Sequence, residues 1–155
     1  MGNMLTGGHD RPPEPLPEEV TATPDLELKL PARAENVAVV RHAIGGLAEA
    51  LDVGEQALAD IKLAVTEACT NVVIHAYDGD ELGPMEVAAF IDGRMLTVAI
   101  RDSGRGIVPR PDSPGLGLGL PLIATLAESL ELGSGPADHT EVLMTFRLDE
   151  SDDPA

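Results

Sequence analysis

The chain reads as an α+β two-layer sandwich: a mixed, mostly antiparallel sheet covered on one face by about three helices. Three observations predict this. Two stretches of helical spacing are grouped together, two alternating apolar stretches after them are joined as a hairpin, and strands and helices do not alternate as a doubly wound fold requires. At 155 residues, one domain with tails is expected.

The first 24 residues, "MGNMLTGGHDRPPEPLPEEVTATP", are rich in Pro, Gly and Glu. With few large apolar side chains to offset the entropy of ordering, residues 1–24 are expected to form a disordered Pro-rich arm. "DLELKLPA", residues 25 to 32, sets Leu26, Leu28 and Leu30 against charged neighbours, a strand with one buried face. Apolar spacing of three and four from Ala34 to Leu51, with Glu35 in the first turn, predicts a helix. A longer helix follows from about Gly54 to Tyr77. "MEVAAFID" and "RMLTVAIRD" form a hairpin around Asp92-Gly93, a strong turn signal. Beyond the glycine-rich stretch "RDSGRGIVPRPDSPGLGLGL" come a helix from about Leu120 to Ser129, a short strand "SLELGS" and a last strand "TEVLMTFRL". Residues 25–149 make the domain and 150–155 a short acidic tail.

The formal net charge of −17 excludes nucleic acid as a direct partner, because one polyanion repels another. An anionic nucleotide would need a divalent cation and local donors. Neither end carries an apolar run of signal-peptide or membrane-spanning length, so a cytoplasmic location without membrane contact is expected. The single cysteine, Cys69, leaves no internal disulfide and no cysteine-cluster metal site; it reads as a small buried side chain. With 2% aromatic residues, the core must be built from Leu, Val, Ile and Ala.

The five glycines Gly104, Gly106, Gly115, Gly117 and Gly119 raise the question of phosphate binding. A Walker-type loop needs G-x-x-x-x-G-K with Ser or Thr, and no lysine follows Lys62. The dinucleotide fingerprint G-x-G-x-x-G is not matched by G-L-G-L-G, which also lacks a preceding βαβ unit. Another cradle geometry remains open.

Two places set polar residues on buried faces. In "LADIKLAVTEACTNVVIHAY", Leu58, Ile61, Val65, Ala68, Val72 and Ala76 form the core stripe of the central helix. Glu67 and Asn71, four apart, share a face beside it, with His75 one turn further on. Buried polar groups need partners: either a hydrated Mg²⁺, which suits oxygen ligands, or each other, Thr70 or solvent. In "RMLTVAIRD", Leu96, Val98 and Ile100 share one strand face, and Asp102 continues it where the glycine loop begins. Asp102 either accepts the amine of an adenine or opens an Asx turn.

E-x-x-x-N on a helix, D-x-G-x-G after a strand and G-x-G-x-G before a helix, in this order, resemble the Bergerat-type ATP-binding fold. Gyrase, the heat-shock chaperone of that class, the mismatch-repair ATPase and histidine kinases share it. "EACTNVVIHAY", "IRDSGRGI" and "GLGLGLPLI" together are most similar to the small bacterial anti-sigma-factor serine kinases, over about residues 25 to 148. The resemblance implies an ATP- and Mg²⁺-dependent serine kinase that binds a sigma factor, phosphorylates an antagonist protein in transcription regulation of a stress response, and forms a homodimer. It implies Glu67 as general base, Asn71 as Mg²⁺ ligand and Asp102 as the acceptor of the adenine amine. Gly104 and Gly106 would let the backbone close on the base. Gly115, Gly117 and Gly119 would admit the phosphates, with Pro121 in the first helical turn. Arg41 matches a family arginine near the nucleotide and partner surface, or is a solvated helix charge.

The sequence departs from the family in two places. "HT" at residues 139 and 140 replaces Gly-Thr, which bears on the role of Thr140. The segment Ile107 to Pro114 is shorter than a typical lid and lacks its lysine, leaving Arg105 and Arg110 as the cations for the γ-phosphate or as exposed loop arginines. The short lid predicts weak or partner-dependent catalysis. Two alternatives stand beside the kinase: an ATP-sensing binding module with little transfer, and a detached histidine-kinase catalytic module. The second lacks a His-containing dimerisation helix, and His42 and His75 read as structural.

Overall fold

The computed structural model describes residues 23–78, 82–104, 116–134 and 139–149. The Pro-rich arm up to Ala22, the acidic tail, Arg105, Gly106, Arg110, Gly115 and the short lid lie outside the described residues. Strand β1 (Leu26–Pro31) leads into helices α1 (Ala34–Ala50) and α2 (Glu55–His75). The hairpin β2 (Pro84–Asp92) and β3 (Met95–Asp102) follows, then α3 (Leu116–Leu126), β4 (Ser129–Ser134) and β5 (Thr140–Arg147).

The sheet has the order β1-β2-β3-β5-β4, and all four neighbouring pairs are antiparallel. The expected mixed element is thus missing among the described strands. β5 slots between β3 and β4, so the path through α3 crosses from the end of β3 to the sheet edge and returns inward. Strand periodicity places Met85, Val87 and Ala89 of β2, Leu96, Val98 and Ile100 of β3, and Val142, Met144 and Phe146 of β5 on one face, all buried. Each large side chain so covered contributes about 1.5–3 kcal/mol of hydrophobic stabilisation. The β2–β3 turn is Gly93–Arg94, one residue past the expected centre, because Asp92 and Met95 still pair.

Helix α2 lies in the middle of the covering layer. Its stripe Ile61, Val65, Ala68, Val72 is buried, continued by Ala76 just past the helix end, while Leu58 is half-buried. The small residues Ala64 and Ala68 let the helix approach its neighbours closely. Cys69 is buried here, and burial pushes its thiol pKa up to about 12.

Helix α3 differs from expectation. It begins at Leu116, four residues early, so Gly117 and Gly119 sit within its first turns and Pro121 lies inside the helix rather than in its first turn. Low glycine propensity argues against helix in such a stretch, yet packing against α2 overrides it, as Gly119 demonstrates below. Pro121 has no N–H to donate back along the helix, while its own carbonyl accepts from the Thr125 hydroxyl at 3.0 Å.

Candidate functional site

Three chain segments meet at the end of the sheet where β3 finishes and β5 starts. The register pairs Asp102, the last residue of β3, with Thr140, the first of β5, and places Met85 of β2 on the other side of Asp102. Asp102 and Asn71 are the two buried polar side chains among the described residues, 3% and 5% exposed.

Asp102 makes the Asx turn that its position allows: the Gly104 N–H donates to Oδ1 at 2.9 Å. Oδ2 is the second acceptor of this carboxylate. Burial raises the Asp102 pKa, and the Gly104 N–H and nearby His139 only partly offset this. Gly104 itself is pressed against the C-terminal end of α2. A Cβ there would collide with the Ala76 carbonyl and lie 2.8 Å from Cδ1 of Tyr77, so no other residue lets the chain pass this close.

Asn71 provides the second anchor. Its buried Nδ2 has no hydrogen-bond partner, which makes the amide a candidate for a functional contact. The amide lies directly under α3: a Cβ on Gly119 would stand 2.8 Å from Nδ2 and 3.3 Å from Oδ1. The first turns of α3 and the amide of α2 are therefore in van der Waals contact. Glu67, one helical turn before Asn71, is half-buried and so open to a reacting group.

Of the Asn71 amide only Oδ1 could serve a hydrated Mg²⁺. A half-turn of the amide exchanges the two near-isosteric ends, presenting Oδ1 where the unpartnered atom now lies. Among the described residues no cluster of three or more His, Cys, Asp or Glu forms a protein cage. A cation here would take one amide oxygen from the chain and the rest from phosphates and water, as Mg²⁺ commonly does.

Arg41 of α1 is half-buried and faces α2, with Nη1 3.5 Å from the Thr66 hydroxyl. That hydroxyl donates to the Lys62 carbonyl at 2.7 Å, so it receives Arg41 on its lone pair, one residue from Glu67. Gly117 lies in the first turn of α3, and His75 is half-buried near the end of α2. A groove of about 370 Å³, lined by Glu27, Lys29, Glu86, Ala88, Ala99 and Arg101, lies on the sheet face opposite the helices. Two ion pairs border it, Lys29 with Glu86 at 3.7 Å and Arg101 with Glu141 at 2.6 Å.

This arrangement, a helix with Glu67 and Asn71 beside a sheet end with Asp102, agrees with a comparison of whole sequences. Residues 30–146 match the family described as "Histidine kinase-like ATPase domain". The chain belongs to the histidine kinase-like ATPase domain family. Within it, an anti-sigma F factor of Thermoanaerobacter sp. (strain X514) is 32% identical over 131 residues, 77% of this chain and 91% of that one. A serine-protein kinase RsbW of Bacillus thuringiensis (strain Al Hakam) is 33% identical over 122 residues, 69% of this chain and 76% of that one. The crystal structure of RsbU and RsbW domains from Mycobacterium tuberculosis superposes with a TM-score of 0.65 at 26% identity. That match spans 81% of this chain and 33% of the solved one.

Sequence reasoning missed Tyr77, whose hydroxyl and ring touch the Asp102–Gly104 corner of this histidine kinase-like ATPase fold. Its signal was available: it is the sole tyrosine in the chain and follows the central helix directly. Thr66, the partner of Arg41, was also missed; nothing in its spacing distinguishes it from other helix threonines.

Proposed function

We propose that residues 25–149 form an ATP-binding anti-sigma factor and serine-protein kinase, which binds a sigma factor and phosphorylates an antagonist protein. The observation that carries this reading is the meeting of Asn71 with Gly119, together with the buried Asp102 that stands opposite Thr140 at the sheet end. A buried carboxylate, an amide lacking a partner and a glycine-lined helix start are the three parts that an adenine, a metal and a triphosphate need. The names of relatives that align over nine-tenths of their length supply the partner class.

In this reading Asp102 Oδ2 accepts a hydrogen bond from the adenine amine, and Gly104 and Gly106 leave room for the base. Thr140 pairs with Asp102 at the base end; the backbone of Gly115, Gly117 and Gly119 would meet the phosphates and Arg105 would supply the cation, as the resemblance implies. Asn71 Oδ1 would hold Mg²⁺, which supplies charge neutralisation of the phosphates when bound. Glu67 takes the proton from the serine hydroxyl as its oxygen attacks the γ-phosphorus. The new bond is serine oxygen to phosphorus, the broken one joins that phosphorus to the bridging oxygen, and ADP leaves. Such a reaction asks for positioning and charge stabilisation more than covalent chemistry, which suits a site with a single base. Arg41, 3.5 Å from the Thr66 hydroxyl of α2, would belong to the partner surface that the resemblance implies. The resemblance also implies a homodimer, which sedimentation measures directly.

The test is incubation with γ-labelled ATP, Mg²⁺ and candidate antagonists. Label on an antagonist serine that is lost in Glu67→Ala supports the kinase, with an expected fall of about 10²–10⁴-fold for loss of a general base. Nucleotide binding without transfer overturns the kinase in favour of a binding module, and acid-labile label on a partner histidine would point to a histidine-kinase module.

A further inference from the structure

Tyr77 stands just past the end of α2, yet it touches the start of β2 and the chain leaving β3. Its O–H donates to the Pro84 carbonyl at 2.6 Å, and its oxygen accepts the Ser103 N–H at 2.9 Å. Pro84 and Ser103 are the residues flanking the last β2–β3 pair, Met85 with Asp102. The hydroxyl is thus inserted between two strands just where their own ladder stops, in a chain Ser103 N–H to Tyr77 O–H to Pro84 C=O. The ring is clamped as well. A Cβ at Gly83 would collide with Cε1 and Cζ, and one at Gly104 would lie 2.8 Å from Cδ1. Burial, with the carboxylates of Asp102 and Glu86, raises the phenol pKa, so the proton that reaches Pro84 is retained.

We infer that Tyr77 is a positioning residue for adenine recognition, fixing the Ser103–Gly104 backbone and through it the carboxylate of Asp102. The link is covalent and short. Ser103 lies between Asp102 and Gly104, and the Gly104 N–H that orients Asp102 Oδ1 belongs to the backbone that Tyr77 holds. A hydrogen-bonded chain of this kind, partly shielded from water, holds its geometry more firmly than separate bonds do. The inference rests on the proposed adenine-reading role of Asp102. It adds that base selectivity depends on a side chain that need not touch the nucleotide.

The experiment compares ATP and GTP binding by wild type and Tyr77→Phe, with thermal melts as the folding control. Phe keeps the clamped ring and removes only the oxygen. Loss of one hydrogen-bonded support predicts ATP affinity lower by about 5- to 10-fold, with GTP affinity within about twofold of wild type. Equal losses for both nucleotides, or none, overturn the positioning role while the nucleotide reading stands. Wild type that binds no ATP, or does not prefer it to GTP, removes the adenine reading itself and the inference with it. Should Tyr77→Phe fail to fold, a second measurement decides. Tyr77 is the only tyrosine, so 3-fluorotyrosine incorporation gives a single ¹⁹F resonance. That resonance should shift on adding ATP and not on adding GTP; an unmoved resonance overturns the inference.

Discussion

Thr140 stands directly across the β3–β5 ladder from Asp102, so the first residue of one strand and the last of another form the rim of the site. Thr140 is half-buried, which leaves its hydroxyl able to serve both the strand end and a ligand. With His139 immediately before it, Thr140 still keeps this pairing.

Thr140→Val removes that hydroxyl at constant shape. Loss of a neutral hydrogen bond costs about 1 kcal/mol, so ATP affinity should fall roughly 5-fold, with Thr140→Ser near wild type. Equilibrium dialysis with labelled ATP measures it. Equal affinity of the Val and Ser variants would place the hydroxyl outside the site.

Asp102 is held at a cost to the unliganded protein. Burial raises its folded pKa, so the unfolded chain releases this proton first and stability declines as pH rises through the interval between the two values. Asp102→Asn keeps an acceptor for the Gly104 N–H without the charge. Its melting temperature should exceed wild type by a few degrees at pH 7, and the gain should vanish near pH 3, below the ordinary carboxylate range. Calorimetric melts across pH check this; a variant less stable at both pH values contradicts it.

Gly119→Ala separates site geometry from helix propensity. Alanine in a helix normally stabilises by about 1 kcal/mol over glycine. Here the new Cβ would lie 2.8 Å from Asn71 Nδ2, so the amide must shift. We expect no gain in melting temperature and at least a tenfold loss of Mg²⁺-ATP affinity, on the order of the cost of displacing one anchoring group. A stabilised variant with unchanged affinity would show that Asn71 and Gly119 do not form the cradle.

Cys69 should be silent to thiol reagents in the native state. With a pKa of about 12 and full burial, only about one thiol in ten thousand is ionised at pH 8. Labelling by a thiol-reactive dye should therefore follow global unfolding in denaturant. Rapid labelling of native protein would mean that α2 opens locally.

The parts of this fold that sequence makes legible are those with a strong period. Leu96, Val98 and Ile100 announced their shared face, and Asp102 at its end was readable because a charged residue broke an apolar alternation. Glu67 and Asn71 were legible for the same reason on α2. The start of α3 was not, because glycine propensity points to a loop while the contact with Asn71 is a tertiary fact. Tyr77 was hidden since its partners, Pro84 and Ser103, lie 7 and 26 residues away and become neighbours only when the hairpin folds over the end of α2.

The central claim is that this sheet end binds ATP through Asp102. Titration calorimetry of ATP with Mg²⁺ into wild type and Asp102→Ala tests it most directly. Wild type should bind one nucleotide per chain, and Asp102→Ala should bind about 10- to 100-fold more weakly, as expected for loss of a hydrogen bond to a charged acceptor. Equal binding by both proteins, or binding by neither, would contradict the account.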